Sequence, residues 1–285
     1  MHGKTFQIDR RKEFAALEPF LGGQGGVVCV RYYGEVSAPN SFVATLTALY
    51  EGVWVGGKYI QRQQIRRSLR IDRNNYKVRY LPEIRSEFSR KMKLDISVET
   101  RRVAETLNIG CNNTAGASQF IDVGIQYGAV SEADQIWQRD AWIKDLCGEL
   151  RRFLEHGRFM IILMHGNKNE QQEFWTTIWN GGMADLVPHG LFLVMMIDET
   201  DKDVGQYYNY APSHDVEIFL NPNLDQTQQT HAIDDIAAWA CRWLDCDYSE
   251  AYNYAKSYVA SNMDDLNRLY STVGAWLMNL KRNQG

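Results

Sequence analysis

The chain has 285 residues, of which 45% are hydrophobic, and a net charge of −4. This length and apolar content exclude a disordered chain and predict one large domain that buries a core without disulfide bonds. Five cysteines without a C-x-x-C pair predict reduced thiols in a cytoplasmic protein. The first residues lack an apolar signal core, and the apolar runs are too short to span a bilayer, so we expect neither secretion nor membrane insertion.

The first half of the chain predicts a helix, a strand and a second helix in that order. Apolar residues at helical spacing over 5–22 indicate a helix that ends at Gly22-Gly23. The run 27–33 is typical of a central strand, and 41–50 has the apolar face of a short helix. The pattern is weaker afterwards; there we predict a basic helix over 60–69, further helices over 83–93 and 97–107, and a strand over 120–127.

The second half alternates helices and strands. A helix over 131–156 precedes the most apolar segment, 159–164, which is typical of a parallel strand. The elements that follow are a helix over 171–180, strands over 191–197 and 215–220, and three helices from 225 onward, the second capped by Ser249.

This alternation predicts an α/β fold, a mostly parallel sheet flanked by helices, with a C-terminal helical region. We expect the α/β domain to cover 1–222, with a basic helical insertion at about 58–110, and the helical region to cover 223–285.

The turn between the first strand and the next helix has the length of a phosphate-binding loop, G-x-x-x-x-G-K-[ST]. Gly34 and Ser41 match its first and last positions, but Pro39 and Asn40 replace its second Gly and its Lys. Proline offers a phosphate no N–H, and asparagine offers no charge, so the loss of the Lys alone predicts about ten- to a hundredfold weaker triphosphate binding. The alternative is a plain turn between strand and helix, capped by Ser37 or Asn40.

A hydrolytic site of this kind also needs an acidic residue that holds magnesium. The candidate strand, 159–164, ends in Met164-His165-Gly166 instead. Magnesium prefers oxygen ligands, so His165 is a poor substitute. The loss of both elements predicts that the chain does not hydrolyse nucleotides.

With these features, the chain resembles the STAND group of AAA-like P-loop NTPases, in a degenerate form. The resemblance covers about 5–50 and 150–245. It is carried by a short entry motif, by the segment 158–163, which corresponds to the acidic strand without its acid, and by the next strand at 190–194. The entry motif is similar at Phe6, Asp9, Arg10, Glu13 and Leu17.

The resemblance implies a P-loop-like fold that keeps the remnant of a nucleotide site. That remnant comprises Gly34, Asn40, Ser41, Asp9 and Arg10. We expect no catalytic residue, no metal and no required cofactor, although weak ATP or ADP binding is compatible with the remnant. The implied function is that of a scaffold, adaptor or signalling protein in prokaryotic antiviral and conflict systems, with protein partners in a multi-component complex.

A basic segment supports a different hypothesis, a nucleic-acid-binding module. Over 58–102 there are fourteen Lys and Arg against five Asp and Glu, a local charge of +9 that leaves −13 for the remainder. A docking site for an acidic protein and a solvated helix face are the other interpretations. The residues of this candidate surface are Arg62, Arg66, Arg67, Arg70, Arg73, Lys77 and Arg79, four of which share one face if the segment is helical.

A third hypothesis is an α/β enzyme of another class. Ligands of open parallel sheets bind beyond the carboxyl ends of the strands, where His165, Asp198 and Glu199 are expected. A histidine with two carboxylates suits acid–base chemistry or a transition metal, whereas solvated strand ends are the alternative. His214-Asp215 lacks a partner nucleophile, because the chain has no G-x-S-x-G elbow.

Overall fold

A computed structural model of the chain describes residues 10–52, 54–55, 58–59, 64–71, 88, 90–91, 132–164, 174–201, 212–244 and 246–283. The predicted helix over 97–107 and the predicted strand over 120–127 lie outside the described residues. Of the helix predicted over 83–93, only Phe88, Arg90 and Lys91 are described, and all three are helical.

The strands of the described residues are β1 (Gly26–Tyr32), β2 (Trp54–Val55), β3 (Lys58–Tyr59), β4 (Ile65–Ile71), β5 (Gly157–Leu163), β6 (Leu191–Asp198) and β7 (Val216–Leu220). β2 and β3 form an antiparallel hairpin. The other five form one parallel sheet in the order β4-β5-β6-β1-β7. The predicted α/β fold with a parallel sheet is therefore confirmed.

Helices connect and cover these strands. The α-helices of the described residues are α1 (Arg11–Ala16), α2 (Glu18–Leu21), α3 (Pro39–Glu51), α4 (Glu132–Leu154), α5 (Gln226–Leu244), α6 (Tyr248–Ser261) and α7 (Leu266–Asn283). A 3-10 turn lies at Gly34–Ser37, and a π-helix over Phe174–Met183 leads into a 3-10 helix over Ala184–His189.

The sheet has an apolar core on each of its faces. Side chains alternate between the faces of a strand, so Val28 and Val30 of β1 pack with α2 and α3, whereas Val27 and Cys29 pack with α4 and the π-helix. β5 and β6 are almost entirely buried because helices cover both of their sides. This explains why these two strands are continuous apolar runs in the sequence.

The C-terminal helices build a third cluster from α5, α6 and α7. Ala38, which follows the 3-10 turn after β1, belongs to this cluster, and α7 contacts the turn itself. The predicted cap of the second helix was wrong by two residues. Asp247 is the N-cap of α6, and its carboxylate accepts a hydrogen bond from the Glu250 N–H at 3.0 Å.

The basic helix predicted over 60–69 is wrong in its described part, because Ile65–Ile71 forms β4 at the edge of the sheet. A spacing of four residues places side chains on one side of a helix and also on one side of a strand. The arginine spacing therefore could not separate the two. Pairing with β5 decides the conformation, and Glu51 fixes β4 to the end of α3 by accepting from the Ser68 N–H at 2.8 Å and the Ser68 hydroxyl at 2.7 Å.

Candidate functional site

The predicted phosphate-loop remnant lies at the carboxyl end of β1, beside the end of β6. Its first half is the Gly34–Ser37 turn, and Pro39 is the first residue of α3. Between them Ala38 has a left-handed conformation, with φ 49° and ψ 52°, and among the described residues no other non-glycine residue has a positive φ. Such strain costs about 1–2 kcal/mol and persists only where the surrounding structure imposes it.

Three N–H groups at this turn and beside it are engaged by the protein itself. Tyr33 donates to the Ser37 hydroxyl at 2.9 Å, and Ala38 donates to the Glu35 carbonyl at 2.9 Å. Gly34 donates to Asp198 Oδ1, also at 2.9 Å. A phosphate-binding loop needs such groups turned toward the ligand. These three are unavailable to a phosphate while the turn keeps this conformation.

Asp198, the last residue of β6, is fixed by several donors. Its Oδ1 accepts from the Thr200 N–H at 3.0 Å and from the Thr200 hydroxyl at 2.7 Å, in addition to Gly34. The carboxylate thus lies where the loop would meet an anion. Together with burial, its charge raises the pKa of the Tyr32 hydroxyl, burial being the larger cause. Sequence reasoning named both Gly34 and Asp198, and the structure brings them into direct contact.

The remaining residues of the remnant are not aligned toward a ligand. Neither Ser37 nor Asn40 caps α3, so the predicted cap was wrong. The side chain of Asn40 instead accepts a hydrogen bond from Arg70 Nη2 at 2.8 Å. Ser41 is half-buried in the first turn of α3. Asp9 lies outside the described residues.

Arg10 is buried against the turn from the side of α1. Its guanidinium donates to the carbonyls of Ser37 and Asn221, each at 3.1 Å, and pairs with Glu13 at 3.3 Å. Arg10 and Glu13 expose only 6% and 8% of their surfaces. The pair holds α1, the turn and the segment after β7 together. Because both charges are buried, water cannot replace a partner that is lost.

The carboxylates that could serve an enzyme are already engaged. Glu199 accepts a hydrogen bond from Arg31 Nε, and its N–H donates to the Tyr32 carbonyl at 2.8 Å. Arg31 also pairs with Glu217 at 3.3 Å and lies 4.5 Å above the ring of Phe219. At the neighbouring strand end, Met164 is buried and donates its N–H to Ile71 at 2.8 Å. His165 lies outside the described residues.

The predicted basic surface is divided by the sheet. Arg66 is buried, and its guanidinium donates to the carbonyls of Leu21 and Gly22 at the end of α2. Arg67 donates to the backbone of its own strand at 3.0 Å, and Arg70 contacts Asn40. Arg62, Arg73, Lys77 and Arg79 lie outside the described residues. The proposed helix face is therefore wrong where it is described, at Arg66 and Arg70, because both lie on strand β4, and Arg66 is a structural residue.

Sequence reasoning missed one cluster on the opposite side of β1. The ligand atoms of Cys29, His214 and Glu217 all lie within 4.8 Å of one another. Burial, and to a lesser extent the Glu217 charge, raises the pKa of the Cys29 thiol to about 12. Cys29 is far in the chain from His214 and Glu217, and the pairing of β1 with β7 brings it next to them. The sequence carries no motif for that pairing.

No known family matches the chain. A search of curated proteins likewise finds no match. None of the helices in the described part of the chain combines the length and apolar character needed to cross a bilayer.

Proposed function

We propose that this chain is a P-loop-like module that does not hydrolyse nucleotides and works as a scaffold or adaptor for protein partners. The observation that carries the proposal is the hydrogen bond from the Gly34 N–H to the Asp198 carboxylate. The resemblance to degenerate STAND modules supports a place in a multi-component signalling complex of a prokaryotic antiviral or conflict system. The free cysteines of the described residues are compatible with a cytoplasmic location.

Electrostatics at the turn oppose phosphate binding. Asp198 is an acceptor for Gly34, and Asn40 stands where a phosphate-binding loop has its lysine. Two like charges 4 Å apart repel by about 4 kcal/mol at an effective dielectric constant of 20. A phosphate at this turn would meet that repulsion without the ammonium group that normally compensates it.

The turn serves the fold as a joint between the sheet and the C-terminal helices. Ala38 is buried in the helical cluster, and Arg10 connects the turn to α1 and to the end of β7. A site whose groups are committed to internal contacts suits a rigid platform better than a cycle of nucleotide binding and release. This supports a scaffold function.

Nucleotide binding and turnover by the purified chain test the loss of catalysis. We expect no magnesium-dependent ATP turnover above a buffer blank, and we expect Ser41→Ala to behave like the wild type. Calorimetry with ADP and ATP measures any residual binding. Saturable, magnesium-dependent turnover that Ser41→Ala abolishes would overturn the proposal.

Purification of the tagged chain from its native cells, at its native level, tests the adaptor function. We expect a protein partner in a fixed stoichiometric ratio that remains bound through size-exclusion chromatography. A chain that elutes alone at the mass of one copy contradicts the adaptor proposal. Nuclease treatment during purification separates a protein partner from a nucleic acid, because a complex bridged by nucleic acid dissociates.

The two alternatives receive less support from the described residues. Arg66 is buried and unavailable to a phosphate backbone. Asp198 and Glu199 make internal contacts at the strand end that an acid–base site would need to leave free. An enzymatic function therefore lacks an assembled pair of groups.

A further inference from the structure

Cys29, His214 and Glu217 form a mixed sulfur, nitrogen and oxygen cluster at the β1–β7 edge of the sheet. Cys29 and Glu217 are register partners on adjacent parallel strands. Their side chains therefore leave the sheet on the same side. Strand pairing thus fixes the backbone positions of two of the three residues, independently of any loop.

The third position is fixed by a short segment before β7. Asp215 donates its N–H to the Val27 carbonyl at 2.8 Å, and its carboxylate accepts the Val27 N–H at 2.8 Å. This reciprocal pair holds the residue next to His214 against β1. The histidine is exposed, as is Glu217, whereas Cys29 is fully buried. The cluster is therefore open to solvent on one side and closed by a thiol on the other.

We propose that Cys29, His214 and Glu217 bind a divalent cation of the zinc type. Zinc is held by thiolate sulfur, imidazole nitrogen and carboxylate oxygen at about 2.0–2.3 Å, which places neighbouring ligand atoms of a tetrahedron about 3.2–3.8 Å apart. The three ligand atoms lie within 4.8 Å of one another, and binding requires the exposed His214 and Glu217 side chains to rotate until the distances fall into that range. Three protein ligands leave the fourth position to water.

The surroundings of the cluster favour this class of ion. Arg31 donates to one oxygen of Glu217 at 3.3 Å, and a hydrogen bond of this kind orients a carboxylate that binds a metal. Sulfur and imidazole ligands discriminate against magnesium and calcium, which prefer oxygen. On binding, the S–H bond of Cys29 breaks, a sulfur–metal bond forms, and the proton passes to solvent.

The site does not depend on the proposed scaffold function. The nucleotide-loop remnant lies beyond the carboxyl end of β1, whereas Cys29 lies in the middle of that strand. A bound ion would join the edge strand β7 to β1, and its stabilisation of the folded chain would grow with the logarithm of the ion concentration above the Kd.

Titration of the metal-free chain with Co²⁺ and with Zn²⁺ tests the proposal. We expect one equivalent of Co²⁺ to bind with a thiolate-to-cobalt charge-transfer absorption, and Zn²⁺ to displace it and raise the melting temperature. Cys29→Ser should abolish the absorption. His214→Ala and Glu217→Gln should each weaken binding by at least about tenfold.

The controls are the other described thiols. Cys147→Ser and the double variant Cys241→Ser with Cys246→Ser should bind as the wild type does; the latter two thiols are close enough to affect each other. The proposal is overturned if no stoichiometric absorption appears, or if the double variant removes it. If Cys29→Ser fails to fold, the exposed His214→Ala decides, and unchanged binding by that variant rejects the site.

Discussion

At the scale of single residues, the Arg10–Glu13 pair shows how a buried charge can organise a turn. Arg10 reaches two backbone carbonyls and one carboxylate, in Ser37, Asn221 and Glu13. The sequence suggests Arg10 as part of an entry motif, but its burial and its three partners are properties of the folded chain. A surface arginine beside it offers a matched comparison.

We predict that Arg10→Ala destabilises the chain by about 3–5 kcal/mol, because it leaves the buried Glu13 carboxylate without its cation. The control is Arg11→Ala. Arg11 pairs with Asp235 at 3.4 Å, but it is 64% exposed, so its loss should cost no more than about 1 kcal/mol. Urea denaturation of both variants measures the difference. Equal effects would show that the Arg10 pair does not carry the turn.

Cys147 gives a prediction for alkaline pH. Burial, together with the nearby Asp185, raises its pKa from 9.0 to about 11 in the folded chain. The folded state thus keeps a proton that the unfolded state releases, and the contribution to stability is lost as pH rises from 9 to 11, by at most about 1.4 kcal/mol per pH unit.

Denaturation of the wild type and of Cys147→Ser at pH 8 and pH 10.5 checks this prediction. Other buried thiols and tyrosines also have raised pKa values. Both proteins contain these groups, so both should lose stability as the pH rises. The informative quantity is the difference between the two slopes. We expect a shallower loss in Cys147→Ser, and identical slopes would contradict a raised pKa of the Cys147 thiol.

At the scale of elements, two glycines illustrate opposite constraints. A Cβ on Gly25 would lie 1.9 Å from the Val187 carbonyl oxygen, so the start of β1 passes directly against the 3-10 helix Ala184–His189. Gly148 is exposed in the middle of α4, and an added Cβ meets nothing within 4 Å. The sequence alone does not show that Gly25 is in close contact with a neighbouring element whereas Gly148 is not.

We predict that Gly25→Ala costs about 1–3 kcal/mol or more, because strand and helix must separate. Gly148→Ala should instead stabilise the chain by about 0.5–1 kcal/mol, since alanine restricts the unfolded chain and favours the helix. Thermal and urea denaturation measure both. A destabilising Gly148→Ala would mean that α4 meets a neighbour at this position.

The element scale also shows where sequence reasoning succeeds. β1, β5 and β6 lie where their apolar runs predict them, because strands buried on both faces leave a continuous signal. β4 was missed because it is an edge strand that carries charged side chains, among them Arg66 and Arg70. Arg66 is buried and donates a hydrogen bond to the carbonyl of Gly22 at the end of α2. No local sequence pattern reveals this contact.

At the scale of the whole molecule, the C-terminal helices and the sheet meet at the turn after β1. Leu269 of α7 and Ala38 belong to the same buried cluster. If the cluster couples the two parts, they should unfold together, even though the sequence predicts a boundary near residue 222. The helical region is then a part of the scaffold and not an independent unit.

We predict that Leu269→Ala costs about 2–5 kcal/mol and lowers one common transition, seen alike by far-UV circular dichroism and by tryptophan fluorescence. Met278→Ala, at a side chain that is 65% exposed in the same helix, should change stability by less than about 0.5 kcal/mol. If Leu269→Ala instead separates the unfolding into two transitions, the helices form a domain of their own.

The sequence by itself determined the alternation of helices and strands, the apolar strands β1, β5 and β6, and the altered loop at Pro39 and Asn40, because these are local properties of spacing and residue type. Only the tertiary structure decided that Asp198 binds Gly34, that Arg66 is buried, and that Cys29 meets His214 and Glu217. Each of these contacts depends on which strands become neighbours. That choice depends on the burial of whole faces and is not encoded in any short segment.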